Sequence, residues 1–292
     1  MSAAHPHHRV ADEVVIALAG SPRLHQFFAN PQTQGFRVHE ALDGRKGGGD
    51  DLFDREAFAQ RYGRPPAGGE VGAAISHMRV LREFAEAPGP DDDVLVVAED
   101  DTLPTPDYPG VVQAILDRGD ELGFVVLRDG TGPATARNLW SMSESQHQLS
   151  WLSTRITGPA TGRRYRVGHI DGFLVGACLY LVSRQAARAY ITHVDTAGRM
   201  SWFADDYHEL AIVSGTDLRA VRPTLAVTGD SPSMIGYEER PESQIAPPTD
   251  VPLPSTRIGK LRAWLAPGRR LRHVSMQLRA TAADLCSCLA TP

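Results

Sequence analysis

Cysteine is scarce: Cys178, Cys286 and Cys288 are too few and too clustered to staple a fold, so a disulfide scaffold is excluded and a reducing compartment fits the chain. Long apolar runs are missing too. None approaches the ~18 residues that cross a bilayer, and residues 1–12, with His5, His7 and His8, lack the cationic start and apolar stretch of a secretory signal. No segment repeats itself. Positive charge is not in excess either, since 30 Lys and Arg against 35 Asp and Glu give a net charge of -5, and no nucleic-acid partner is expected. What is present is ordinary globular material, 42% hydrophobic with 27 glycines and 21 prolines, in a chain of 292 residues. That is enough for one large domain or one domain with an appendage.

The charge is unevenly placed. From Ser255 to Pro292 seven basic residues (Arg257, Lys260, Arg262, Arg269, Arg270, Arg272, Arg279) face only Asp284, a net of +6, which leaves -11 on the other 254 residues. An acidic body with a basic end is the pattern of a chain whose one end meets an anionic surface.

Along the body, apolar runs alternate with helical periodicity. Val14 to Leu18 reads as a buried strand closed by Gly20, Ser21 and Pro22, followed by a helix through Leu24, Phe27 and Phe28 and a strand over Phe36 to Leu42. Glu70 to Glu86 has apolar residues at 3 to 4 residue spacing and ends at Pro88-Gly89-Pro90. Val94 to Val97, a helix through Val111 to Leu116 and Phe124 to Leu127 predict a β-α-β unit, and the class is α/β. Short hairpins are expected around Trp140 and Trp151. Beyond them come a strand within Leu174 to Val182, helices over Arg184 to Ile191 and Phe203 to Val213, a strand at Leu218 to Val221, and a Pro-rich stretch from Pro223 to Pro254.

The strand at Val94 to Val97 delivers Glu99, Asp100 and Asp101 at its carboxyl end, where open α/β sheets build ligand sites. Three adjacent carboxylates repel one another, and a divalent cation relieves that repulsion. Oxygen-only ligands favour Mg²⁺ or Mn²⁺, ions that share substrate phosphates, so a diphosphate is the group to be neutralised. A solvated turn is the plain alternative.

Gly69-Glu70-Val71-Gly72-Ala73-Ala74-Ile75-Ser76-His77, followed by Val96-Val97-Ala98-Glu99-Asp100-Asp101, resembles the paired signature of glycosyltransferase family 25, the lipopolysaccharide and procollagen galactosyltransferase group. Ala41-Leu42-Asp43-Gly44, Ser21-Pro22-Arg23, Gly176 to Ser183 with Tyr180, Val194-Asp195 and Ala204-Asp205-Asp206-Tyr207 are similar to further landmarks of that family. Ala17 and Ala73 depart from the usual Asn and Cys.

The resemblance implies a GT-A-like, Rossmann-type nucleotide-sugar-binding sheet and a metal-dependent, inverting transfer of a hexose, galactose or glucose, from a UDP-sugar to a glycan or glycolipid acceptor. Glu99 and Asp101 are the expected metal ligands, with Asp100 able to exchange roles. Asp205 and Asp206, then Asp195, are the candidate bases for the acceptor hydroxyl, a helix cap or surface pair being the structural alternative. Arg23 is assigned to the nucleotide phosphates or to the open surface, and Asp43 to a ribose hydroxyl or a turn with Gly44. Glu70 caps its helix or braces the pocket, and Ser76 and His77 support it. A nucleotidyltransferase and a non-catalytic glycan- or membrane-binding module are the rival readings.

In the basic end, Ile258, Leu261, Trp264 and Leu265 form one apolar stripe, and Leu271, Val274, Leu278, Ala282 and Leu285 another after Pro267-Gly268. This is the pattern of amphipathic helices that lie on anionic lipid, or that pack on the body or on a twin subunit. The expected organisation is a flexible leader over 1–12, a transferase domain over 13–236, a Pro-rich linker over 237–255 and a basic amphipathic helical tail over 256–292. The expected location is cytoplasmic, peripheral on the inner face of the cell membrane.

Overall fold

The computed structural model describes residues 8–129, 147–172, 174, 176–229 and 267–290. Trp140, the 237–255 linker and the Ile258 to Leu265 stripe lie outside the described residues. In chain order the elements are β1 (Arg9–Ala17), α1 (Arg23–Ala29), β2 (Arg37–Glu40), α2 (Arg55–Tyr62), α3 (Gly68–Glu86), β3 (Asp93–Glu99), β4 (Thr102–Pro104), α4 (Tyr108–Leu116) and β5 (Phe124–Arg128). They continue as β6 (His147–Leu149), β7 (Thr154–Thr157), β8 (Arg164–Gly172), β9 (Leu179–Ser183), α5 (Arg184–Ala197), α6 (Tyr207–Ser214), β10 (Leu218–Arg222), β11 (Ala226–Thr228) and α7 (Pro267–Ala290). No helix among the described residues is long and apolar enough to cross a membrane.

The main sheet runs β2-β1-β3-β9-β5-β10-β8-β6, with β7 on β8. It is mixed: β1 is parallel to β2 and β3, and β10 to β5, while β9 and β8 run against their neighbours. Its faces are covered separately. Helices α3, α5 and α6 bury Ile75, Leu81, Tyr190 and Tyr207 on one side. On the other, α1 and α4 bury Phe27, Val111 and Ile115. Helices on both faces of a sheet make the chain an α/β fold compatible with a Rossmann-like arrangement.

The expected β-α-β unit takes a different form. Strands β3 and β5 point the same way but are not neighbours, because β9 lies between them and pairs antiparallel with both. All five residues of β9 are buried, so it satisfies the central position that β5 leaves open. Ser183 ends this strand and caps α5, its hydroxyl accepting from the Ala186 N–H.

Helix α3 explains most of the first sequence signature. Its first turn lies against the loop after β2: a Cβ on Gly72 would come within 2.4 Å of the Leu42 carbonyl oxygen, and one on Gly44 within 2.1 Å of the Gly68 oxygen. Ser76 fastens the same contact, accepting from the Leu42 N–H at 2.9 Å and donating to the Gly72 carbonyl at 2.6 Å. Glu70 reaches back to the Ala67 N–H and pairs with Arg64. Ser76 therefore holds helix and loop together, while Glu70 closes back on the start of its own helix, the capping alternative for that residue.

Candidate active site

The chain leaves β1 towards β2 on one side and α3 brings it back to β3 on the other, so the carboxyl ends of β1 and β3 flank a topological switch point. Beside it, the loop Leu18 to Pro22 after β1, the segment Glu40 to Asp43 at the end of β2, Arg45, Lys46 and Arg79 line a cavity of about 480 Å³. A second cavity, of about 390 Å³ around His8, Asp91 and Glu121, is at the opposite end of the same strands, by the amino ends of β1, β3 and β5, away from the acidic triplet.

Glu99 ends β3 in register with Ile16 of β1, and its N–H donates to the Cys178 carbonyl. Asp100 turns inward: one oxygen accepts from Ser21 Oγ at 2.5 Å and the other from Arg23 at 3.2 Å. Arg23 also reaches Asp101 at 3.3 Å, and all three side chains are largely buried. Arg23 is thus not on the open surface but bridges two carboxylates of the triplet. Asp101 Oδ1 is buried without a hydrogen-bond partner. Burial first, and then the charge of Glu99, raise the Asp101 carboxyl to about 7 against the pull of Arg23.

Beneath Glu99 the His77 ring stacks on Tyr180, with Nδ1 3.0 Å from the Tyr180 hydroxyl and Nε2 3.7 Å from Glu99. His77 is buried between Tyr180 and the end of β3. Asp43 stands on the cavity wall with Arg45 at 2.7 Å and Lys46 at 3.4 Å, and the Arg45 bond first of all holds its carboxyl down at about 2.

The three candidate bases separate. Asp205 accepts from the Gly176 N–H at 2.5 Å and feels the charges of Glu99 and Asp206. Part of its surface reaches solvent, yet the protein around it is dense enough for burial to raise its carboxyl to about 6. Asp206 instead caps α6 through the Glu209 N–H and accepts from the Tyr62 hydroxyl at 2.5 Å. Asp195 is on the surface of α5, paired with Arg82 at 2.5 Å, and Arg82 stands 14 residues beyond Gly68 along α3. At 1.5 Å per residue that is about 21 Å along the helix from the switch-point end. Asp195 and Asp206 are therefore a surface pair and a helix cap.

Two residues near the site escape a reading confined to the triplet. Arg128 and Asp129 follow the apolar run of β5 and are fully buried, with Asp129 paired to Arg222 at 2.7 Å. The Cys178 thiol feels Glu99, Asp101, Arg128 and Asp129, and burial above all raises it well above its ordinary value, so it is inert. The signal was present in Leu127-Arg128-Asp129, charged residues directly after a buried strand.

Among the described residues no group of three or more His, Cys, Asp or Glu side chains is disposed to hold a metal ion. Glu99 and the unpartnered Asp101 Oδ1 are two oxygen donors, the number a Mg²⁺- or Mn²⁺-type ion takes when substrate phosphates and waters complete its shell. No protein-family model matches the chain, and no curated protein matches it.

Proposed function

We propose that the chain is a metal-dependent glycosyltransferase that moves a hexose, galactose or glucose, from a UDP-sugar to a saccharide or lipid-linked glycan acceptor, with inversion, at the cytoplasmic membrane face. The observation that carries this reading is the Ser21–Asp100 hydrogen bond, which joins the loop walling the switch-point cavity to the triplet containing the unpartnered Asp101 oxygen. A nucleoside diphosphate suits that junction. Arg45, Lys46 and Arg79 line the cavity and complement its negative charge.

Mn²⁺ or Mg²⁺ held by Glu99 and Asp101 supplies Lewis-acid neutralisation of the charge that develops on the departing UDP. The chain's own residues do the rest. Arg23 and Ser21 fix Asp100 so that the two outer carboxylates of the triplet keep their directions. His77, held by Tyr180, steadies Glu99. Asp205 takes the proton of the attacking acceptor hydroxyl on Oδ1, the oxygen not held by Gly176, as an inverting transfer requires.

The test is a UDP-release screen of nucleotide sugars with Mn²⁺, repeated with Asp101→Ala. Release from a hexose nucleotide that the variant loses supports the proposal, and undiminished release by the variant removes the metal role. Release of pyrophosphate from a nucleoside triphosphate would instead identify a nucleotidyltransferase, and glycan binding without turnover a binding module.

A further inference from the structure

Helix α7 is seated on the body by its polar side. Asp284 is bonded to His169 of β8 at 2.5 Å, Arg279 to Asp171 at 2.7 Å, and Thr281 accepts from the Trp151 N–H at 3.1 Å. Ala280 is buried at this contact. An amphipathic helix on a soluble body ordinarily turns its apolar stripe inward. Here the stripe faces out: Leu271, Val274, Leu278 and Leu285 recur at helical spacing and are 71%, 44%, 54% and 51% exposed.

The exposure is local. Of the eight large hydrophobic side chains exposed among the described residues, these four are joined by Trp151 and Leu152, in the turn that bonds Thr281, and only Val38 and Ile212 lie elsewhere. Concentrated apolar surface of this kind marks an interaction face. Charge selects the occupant. The segment from Ser255 onward carries a net +6, and α7 itself begins with Arg269, Arg270 and Arg272. Two copies of so basic a segment repel each other, whereas anionic headgroups attract it while acyl chains receive the stripe.

We propose that the outward face of α7, continued by Trp151 and Leu152, is a docking surface for an anionic phospholipid bilayer. The polar seating orients this face, so the body is held at a fixed attitude to the membrane and not tethered loosely. The inference is independent of glycosyl transfer.

The experiment is co-sedimentation of the full chain with vesicles of phosphatidylglycerol and phosphatidylcholine, and with phosphatidylcholine alone, at low and high salt. Expected is binding to the anionic vesicles only, weakened by salt, and reduced roughly ten-fold or more by the double substitution Leu271→Glu, Leu278→Glu. Both side chains are exposed, so the fold should tolerate the change; Ile212→Glu, equally exposed but elsewhere, should bind as the parent does. Equal binding by the double variant, or none by the parent, overturns the proposal. So does a lipid-free dimer in sedimentation equilibrium that the double variant abolishes, since a second copy would then be the occupant.

Discussion

The hydroxyl of Ser21 donates to Asp100 at 2.5 Å, so the loop leaving β1 is tied directly to the acidic triplet leaving β3. With Arg23 at the other oxygen, Asp100 has both of its oxygens engaged within the protein. The consequence is a division of labour among three adjacent carboxylates. The central one is structural, and the proposed function gives the ligand-facing roles to Glu99 and Asp101.

Asp101 makes the ligand-free protein sensitive to alkali. Its folded carboxyl is raised to about 7, above its ordinary value of 3.8, so its contribution to stability is full at pH below 4 and is lost as pH rises through 7. Asp101→Asn removes that loss. Thermal unfolding should find the variant more stable than the parent at pH 8, by on the order of 3 °C, with no gain at pH 4. An equal effect at both pH values would show that Asp101 is not strained by its charge.

The rate of the proposed transfer should rise with pH through about 6, the value to which burial lifts the Asp205 carboxyl, because a base must be ionised to accept a proton. In kcat/KM against pH, measured at saturating Mn²⁺ so that Asp101 stays ionised, the acidic limb belongs to Asp205. Asp205→Asn should lower kcat by roughly 10²-fold or more and abolish the limb. A limb that survives in the variant assigns it to another group.

Tyr180→Phe leaves His77 Nδ1 buried with its tyrosine partner removed. Urea unfolding at pH 7 should show a loss of about 1–3 kcal/mol. A change below 0.5 kcal/mol, within the spread of neutral surface substitutions, would mean that the pair does not brace Glu99.

Asp195 and Asp206 are separable by two measurements on each. Asp195→Asn, in an exposed pair with Arg82, should leave UDP release within about two-fold and stability within about 1 kcal/mol. Asp206→Ala, which removes a cap and the acceptor of the Tyr62 hydroxyl, should cost about 1–2 kcal/mol in urea. A large rate loss in the Asp195 variant would return it to the candidate bases.

Helix α3 and strand β3 are legible in the sequence because their patterns are strong: apolar residues every 3 to 4 positions in one, an unbroken buried run in the other. The position of Glu99 and Asp101 at the carboxyl end of a strand follows from the second. The seat of β9 is not legible, since a strand buried on both faces reads alike at any central position. Helix α2 escapes for the opposite reason, with Phe58 its only buried residue. Asp205 and Asp206 are equivalent as letters. What distinguishes them is a partner far along the chain, Gly176 for one and Tyr62 for the other. In α7 the spacing shows a stripe but not the direction it faces.

The position of β9 orders the assembly of the site in time. Until residues 179–183 are synthesised, β3 and β5 present facing edges with no strand between them, and Glu99 lacks the Cys178 carbonyl that holds its N–H. Asp205 emerges later still. A nascent chain that ends at the acidic triplet therefore has only β2-β1-β3, and β5, once made, has no strand to join it to them until β9 follows.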